Sequence, residues 1–310
     1  GNVSEYVLSL GGNYKEKLML GATLSLPSYR FDRTSYYTES LAPGNNDPNP
    51  VGFNYFTYSQ ALNLTGSGVN AKVGAIYKIS EMFRIGAAFH SPTYYSVTDI
   101  YSPAMNSSVT TSGYNNVTLS VDNGALLQNQ FDYHLTTPWK TVLSATVMIK
   151  KMGFITADYE FVDYSSMRYR FPSGVDNYGV SFQEYADAIN RELKKTYQGT
   201  SNFRLGAEGR VNKNFMVRLG FGYYGNAYTP YGQTGGYTGA RMDLCGGVGF
   251  RFKHFFTDLG FVNSMYNGYQ QPYTVDYSGG SVISGPVATV PTATINYSLS
   301  NIALTVGVKL

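Results

Sequence analysis

The chain has 310 residues and a formal net charge of only +3, and 14% of its residues are charged. A charge this small does not suggest a nucleic-acid partner, and no run of about eighteen or more apolar residues offers a transmembrane helix. One cysteine, Cys245, excludes an internal disulfide and a cysteine-based zinc cluster. The 29 Tyr, 18 Phe and 34 Gly favour many strands and turns over helices.

Alternating apolar stripes run along most of the chain and predict about eleven β-strands. Because successive side chains of a strand point to opposite faces, each stripe marks one apolar face. In chain order the clearest stripes cover residues 18–26, 69–79, 83–89, 143–149, 155–161, 203–211, 215–223, 242–252 and 302–310. Charged residues such as Asp158, Glu160 and Arg210 stand on the opposite faces. The sequence is therefore all-β.

The connections between these strands alternate strictly between tight turns and long loops. The five tight turns are predicted at residues 13–16, 80–82, 150–153, 212–214 and 253–254. The five long connections are predicted at residues 30–55, 98–131, 171–198, 225–238 and 268–291. A soluble sandwich would turn the apolar faces inward, whereas an outer-membrane barrel turns them to lipid and keeps the charged residues in a water-filled lumen. Short turns at one end and long loops at the other favour a transmembrane antiparallel β-barrel.

The third long connection contains a predicted amphipathic helix. Ser181 and Glu184 form an S-x-x-E capping box, and apolar residues recur at helical spacing from Phe182 until Gly199. We expect this helix to cover the barrel mouth, with a mobile gate as the alternative.

The parity of the strands predicts that this chain is part of a longer barrel. The last strand ends on the short-turn side at Leu310, so the first, near Tyr6, runs down from the long-loop side. Since single-chain bacterial barrels normally have an even number of strands with both ends in the periplasm, an odd number of strands is expected before Gly1. We also expect eleven strands alone not to close, because lipid does not tolerate unpaired sheet edges.

Four stretches resemble a known family. They are FRIGAAFHSPTYYSV at residues 83–97, YHLTTPWKTVLSATV at 133–147, ADYEFVDYSSMRY at 157–169 and NIALTVGVKL at 301–310. They resemble the FadL/TodX family of outer-membrane transporters for long-chain fatty acids and aromatic hydrocarbons, in the branch often labelled hemin receptors. The resemblance implies a barrel of about fourteen strands plugged by an N-terminal hatch. Residues 1–310 would then be a single barrel domain lacking the hatch and the first three strands, monomeric when full length, through which ligands diffuse passively.

The resemblance also implies a capture groove for hydrophobic ligand between two long loops, here residues 30–55 and 98–131. The apolar residues proposed to line it are Leu41, Phe53, Tyr55, Phe56, Met105, Leu126, Leu127 and Phe131. Apolar side chains on a wet loop cost about 25 cal/mol per Å² unless covered, so they either pack on one another or await a ligand. A lumenal arginine, Arg204 or Arg218, is proposed to receive a carboxylate head group.

Other functions are weighed against transport of hydrophobic molecules. A polar-lumen porin and a haem-binding surface receptor are the alternatives, and only His90, His134 and His254 could ligate haem. No catalytic motif is present, so the protein is predicted not to be an enzyme and to need no cofactor. Its expected partners are a hydrophobic small molecule and outer-membrane lipid, with no nucleic acid.

Overall fold

The structure is a computed structural model that describes residues 1–40, 52–111, 114–121, 129–233, 239–270 and 293–308. Leu41, Leu126 and Leu127 lie outside the described residues. The described part forms one large antiparallel sheet with two helices. No helix in these ranges is both long and apolar enough to cross a bilayer.

Fifteen strands make up the sheet. The first eight are β1 (Asn2–Tyr14), β2 (Leu18–Ser40), β3 (Gly52–Lys78), β4 (Phe83–His90), β5 (Tyr94–Thr111), β6 (Tyr114–Val121), β7 (Asn129–Thr136) and β8 (Lys140–Ile149). The other seven are β9 (Gly153–Asp163), β10 (Arg168–Arg170), β11 (Gly199–Arg210), β12 (Phe215–Tyr224), β13 (Arg241–Arg251), β14 (Phe255–Gln270) and β15 (Ala293–Val308). The helices are α1 (Phe182–Thr196) and α2 (Pro230–Gln233).

Several of these strands are two parts of one pass across the sheet. β4 and β5 are separated by residues 91–93 and both pair with β3. β7 and β8 are separated by residues 137–139 and continue the next pass, while β9 and β10 flank the 3₁₀ turn Tyr164–Ser166. β6 pairs only with β5 and is not counted as a pass. The remaining fourteen strands of the described residues make eleven antiparallel passes. The predicted strand count is confirmed.

The predicted tight turns are confirmed and lie at one end of the passes. They connect β1 to β2, β3 to β4, β8 to β9, β11 to β12 and β13 to β14. Lys15, Glu16 and Lys150 adopt φ values of 50°, 55° and 40° there, as tight turns demand. In the described sheet, β1 pairs with β2 and β15 pairs with β14, so these strands form its two edges.

The two faces of the sheet differ as the prediction requires. One face carries exposed apolar side chains such as Leu205 and Leu219, which are 55% and 68% exposed. The other face carries buried polar groups, including Glu160, Asn202 and Asp243. We call these the outward and inner faces, because an outer-membrane barrel turns its apolar face to lipid and its polar face to the lumen.

The structure corrects the prediction of loops at residues 30–55 and 98–131. β2 runs on to Ser40, β3 begins at Gly52, and β5, β6 and β7 occupy most of the second region. Residues 28–40 of β2, residues 52–68 of β3, and β5, β7 and β10 form what we call the outer extension, on the long-loop side. Their Tyr, Thr and Ser residues favour strands but carry no apolar alternation, so the stripe pattern did not detect them.

Helix α1 confirms the predicted helix on the long-loop side. The Ser181 side chain accepts a hydrogen bond from the Gln183 backbone N–H (3.2 Å), which caps the first turn. The Asn190 side chain accepts from the backbone N–H of Tyr169 (2.7 Å) and donates to its carbonyl (2.8 Å). These two bonds fasten the middle of α1 to β10.

Candidate functional site

Seven aromatic rings come together on the inner face of the outer extension. We call Tyr29, Tyr95, Phe131, Tyr133, Tyr169, Phe171 and Phe182 the aromatic cluster. Phe131 lies edge-on to Phe171, with ring centroids 4.9 Å apart, and 6.0 Å from Phe182 at the start of α1. Tyr133 lies 5.5 Å from Tyr169 of β10. Four strands and a helix therefore contribute to one apolar surface.

Glycine and valine positions on the same face make room for the rings of β2 and β5. Tyr29 and Tyr95 pack edge to face with centroids 5.3 Å apart. They lie over Gly66 and Gly68 of β3, where a Cβ atom on Gly66 would overlap the Tyr29 ring. Val97, which is 2% exposed, stands opposite Gly66 on one side and Tyr133 on the other. The cluster is thus continuous from β2 to β10.

The rings of the aromatic cluster are half-buried, and one half-buried acid lies beside them. Burial raises the pKa of Tyr133, Tyr29 and Tyr169. Asp99 stands opposite Phe131 in the sheet, and its Oδ1 atom is buried without a hydrogen-bond partner among the described residues. Burial alone raises the pKa of Asp99, because no neighbouring cation offsets the loss of water.

Of the residues predicted to line a capture groove, only Phe131 belongs to the aromatic cluster. Tyr55, Phe56 and Met105 lie on β3 and β5 near the far end of the extension, where the Phe56 ring is 5.7 Å from Tyr37. Phe53 is a β3 position opposite Val109. Phe131 stands opposite Asp99 and Phe56 opposite Ser107, so about 26 Å along β5 separates them at roughly 3.3 Å per residue.

The two predicted arginines face the lumen, and both already contact acids. Arg218 donates to Glu208 (2.8 Å) and to Asp258 (2.7 Å), and Asp258 also accepts from Arg251 (3.0 Å). Arg204 is held less tightly, at 3.6 Å from Asp158 and 3.8 Å from Glu160. Arg218 is therefore committed to a network across β11 to β14, while Arg204 is the freer of the two.

A row of lumenal side chains that the sequence analysis missed crosses six neighbouring strands. In register, the row consists of Glu160, Asn202, Tyr224, Arg241, Tyr266 and Tyr297. The Arg241 guanidinium lies 4.1 Å over the Tyr224 ring, and Asp243 lies against its Nε (3.1 Å) and Nη2 (3.2 Å) atoms. Its Nη1 atom makes no hydrogen bond to another described residue. Only the strand register brings the row together, so alternation along single strands could not reveal it.

This row borders a cavity of about 690 Å³ at the outer end of the lumen. Tyr164 of the 3₁₀ turn and Ala227 and Tyr228, before α2, line its other side. The cavity joins a guanidinium, an acid, an amide and several tyrosine rings. Such a lining suits a ligand with a polar head and an apolar body.

The three histidines do not converge. His90 faces the lumen and is half-buried, whereas His134 is exposed on the outward face and pairs with Ser96 (Nδ1 to Oγ, 3.2 Å). His254 lies in the turn between β13 and β14. Within the described ranges, no group of three or more His, Cys, Asp and Glu side chains is placed to hold a metal ion.

An antiparallel sheet with an apolar outward face, a charged inner face and all its tight turns at one end defines an outer-membrane β-barrel protein. A family model described as outer membrane protein transport protein (OMPP1/FadL/TodX) matches residues 8–235. The chain belongs to this family, which is one of transport proteins located in the outer membrane. No curated protein sequence matches the chain significantly.

Solved structures of this kind share the fold at low sequence identity. A Pseudomonas aeruginosa FadL homologue is 14% identical and aligns with a TM-score of 0.59 over 98% of this chain and 66% of its own. The Pseudomonas putida toluene transporter TodX is 10% identical, with a TM-score of 0.54 over 98% and 68%. The Ralstonia pickettii toluene transporter TbuX is 18% identical, with a TM-score of 0.48 over 84% and 63%. The chain thus spans about two thirds of the length of the structures it matches.

Proposed function

We propose that the protein lets hydrophobic small molecules, long-chain fatty acids or aromatic hydrocarbons, diffuse passively across the outer membrane. Membership of an outer-membrane transport family supports this proposal, and one of the matching structures is the Pseudomonas putida toluene transporter TodX. The observation that carries it is the aromatic cluster, which presents an apolar surface on the inner face of the outer extension. A porin conducts solutes through a polar, water-filled lumen, so it does not need an apolar surface at its mouth.

The aromatic cluster is proposed as the first station of an entering ligand. Phe182 brings the start of α1 against Phe131, so the helix covers the cluster from the long-loop side. An apolar chain that replaces water there gains about 0.8 kcal/mol per buried methylene. Of the originally proposed groove residues, Phe131 is the one we expect to contact ligand bound at the aromatic cluster, because Tyr55, Phe56 and Met105 lie farther out.

The cavity beside Arg241 is proposed as the second station. The Nε and Nη2 edge of Arg241 faces Asp243, and Nη1 remains to bind a carboxylate head group. Arg204, whose contacts to acids exceed 3.5 Å, is the next candidate for this role. Arg218 is the weakest of the three, because two acids hold it at hydrogen-bonding distance.

The proposal is tested by removing the ring that links the sheet to the helix. Phe131→Ser in the protein as it occurs in the outer membrane should weaken binding of a long-chain fatty acid about tenfold or more, as expected for losing a buried Phe contact of roughly 1.5–3 kcal/mol. Adding Phe53→Ser should weaken it further. Tyr36→Ser, at an exposed position on the outward face of β2, is the matched control and should have little effect. Calorimetry with long-chain and short-chain acids measures the difference.

Two results would contradict this function. Equal loss for long-chain and short-chain acids after Phe131→Ser would show that the ring does not recognise an apolar chain. Tight hemin binding that is abolished by changing His90 or His134 would favour a haem receptor instead. Arg241→Gln separates the two stations, because it should weaken binding of the fatty acid and leave binding of toluene unchanged.

A further inference from the structure

An aromatic belt marks the outer boundary of the lipid-facing surface. The only tryptophan, Trp139, lies between Phe89 and Phe161, with ring centroids 6.0 Å and 5.7 Å away. These three rings come from neighbouring passes, just before each pass enters the outer extension. Aromatic belts sit where hydrocarbon gives way to lipid headgroups, so the residues that follow on the outward face lie at headgroup height.

Two arginines occupy the outward face immediately beyond this belt. Arg168 and Arg170 are exposed positions of β10, and Tyr169 between them turns inward to Tyr133 of the aromatic cluster. Side chains two residues apart on a strand share a face and lie about 7 Å apart. The packing of Tyr169 therefore fixes both arginines outward.

These arginines have no ion-pair partner among the described residues. This sets them apart from the lumenal Arg204, Arg218 and Arg241, each of which lies within 4 Å of an acid. On the outward face, the nearest acid along β7 is Asp132, and it accepts a hydrogen bond from Thr98 (2.6 Å). The patch is therefore positively charged in a place where a protein anion does not neutralise it.

Polar groups of neighbouring strands complete the patch. Arg170 stands opposite His134, which stands opposite Ser96, while Arg168 stands opposite Thr136 and then Tyr94. Tyr94 is 59% exposed, and a surface cavity of about 290 Å³ lies among Tyr94, Ser96, His134 and Arg170. A phosphate group fits a recess of this size and finds donors on two sides.

We propose that Arg168, Arg170, His134 and Ser96 form a binding site for the phosphate of an anionic lipid headgroup in the outer leaflet. The planar guanidinium fork matches phosphate oxygens. The adjoining belt of Trp139, Phe89 and Phe161 contacts the acyl region, which free phosphate in solution cannot use. A lipid bound here holds the barrel at a fixed height and tilt. This site lies on the opposite face from the proposed ligand path and does not depend on it.

The test compares membranes that differ only in whether they contain an anionic lipid with an unsubstituted phosphate headgroup. The protein is reconstituted in phosphatidylcholine vesicles with and without phosphatidic acid, and bound phosphatidic acid is quantified by native mass spectrometry after extraction. Arg168→Gln with Arg170→Gln should reduce the preference for phosphatidic acid about thirtyfold, since each arginine near a charged lipid surface contributes about 1 kcal/mol. Arg191→Gln, an exposed arginine on α1, is the matched control and should leave the preference unchanged.

A second pair of substitutions guards against a folding defect. Arg168→Lys with Arg170→Lys keeps the charges and should retain most of the preference, because an ammonium also binds phosphate. Raising the salt concentration should weaken the preference of the wild type. The proposal is overturned if the double Gln variant keeps the full preference, if Arg191→Gln lowers it equally, or if inorganic phosphate competes as well as the lipid does.

Discussion

The membrane band is the part of the sheet between the tight turns and the aromatic belt of Phe89, Trp139 and Phe161. The band and the outer extension belong to the same passes, yet the polar and apolar faces are exchanged between them. In the band, Leu205 and Leu219 cover the outward face, and Glu160 and Asn202 are buried on the inner one. In the extension, Thr98 and Asp132 hydrogen-bond on the outward face, and the aromatic cluster covers the inner one. The polarity of the outward face matches its surroundings, because lipid surrounds the band while water surrounds the extension.

The exchange needs no shift in the register of β2 with β3, although the pairing is interrupted at Leu26 and Pro27. Ser25 pairs with Asn70 below the boundary, and Ser28 pairs with Ser67 above it, in the same register. A one-residue slip would have swapped the faces by geometry. Here the residue types change while the register stays the same, so the side-chain composition sets the boundary.

The largest expected effect comes from placing a charge on the outward face of the band. Leu205→Arg near the middle of β11 should destabilise the folded protein by about 2–4 kcal/mol, because the guanidinium must enter hydrocarbon. Tyr36→Arg, on the outward face of the extension and opposite Ser59, should cost close to nothing. Urea unfolding in vesicles measures both. Equal costs at the two positions would mean that the boundary lies elsewhere.

The same comparison explains how much the sequence could predict. The tight turns, the eleven passes and α1 follow from apolar periodicity, which is strong in the band because lipid and lumen differ so sharply. In the extension, stretches such as residues 35–38 carry Ser, Tyr and Thr on both faces, so no stripe reveals the strand. The aromatic cluster joins rings from Tyr29 to Phe182, and only tertiary structure brings them together.

The sequence predicted the type of the site residues but not which particular residues serve. The sequence indicated that arginines face the lumen, but the choice among them depends on how many acids each contacts. Arg218 contacts two acids, whereas Arg241 contacts one and stacks on Tyr224. These differences arise from pairing across strands β11 to β14, which a single-strand pattern does not encode.

The buried Oδ1 atom of Asp99 on the extension's inner face predicts a stabilising substitution. The pKa of Asp99 is raised by burial, so its protonated form stabilises the fold below the ordinary Asp pKa of about 3.9. That contribution is lost as the pH rises through the folded-state pKa. Asp99→Asn, which removes the charge, should therefore stabilise the protein at neutral pH by less than about 1 kcal/mol, since solvent screens the half-buried carboxylate, and the gain should vanish in acid.

The control for this substitution is Asp132→Asn on the outward face. Asp132 accepts a hydrogen bond from Thr98 and is exposed, so its replacement should bring no gain. Urea unfolding of both variants across a pH series provides the measurement. A destabilised Asp99→Asn protein at neutral pH would show that the carboxylate has a favourable partner, and that the inner face of the extension is wetter than its rings indicate.

The smallest expected effect concerns the segment that leads into α1, where water reaches both faces. Asp176 accepts hydrogen bonds from the Tyr185 hydroxyl (2.6 Å) and from the Val180 backbone N–H (2.9 Å). These bonds, the first above all, lower the pKa of Asp176. A depressed carboxyl pKa stabilises the fold above the ordinary value of about 3.9, and this contribution is lost as the pH falls through the lower folded-state pKa.

Acid should therefore loosen the start of α1 without unfolding the sheet. Hydrogen-exchange protection of the Val180 amide should fall in acid, and Asp176→Asn should produce a similar loss at neutral pH. Asp187→Asn is the matched control on α1, because Asp187 accepts only from the Gln183 side chain (3.1 Å) among the described residues. Because Tyr185 is exposed and Asp176 is only half-buried, the change should stay local and small, and protection in β11 and β12 should not move. If protection at Val180 is the same in Asp176→Asn as in the wild type, the hydrogen bonds of Asp176 do not hold this segment, and the fastening of α1 rests on Asn190 and Phe182.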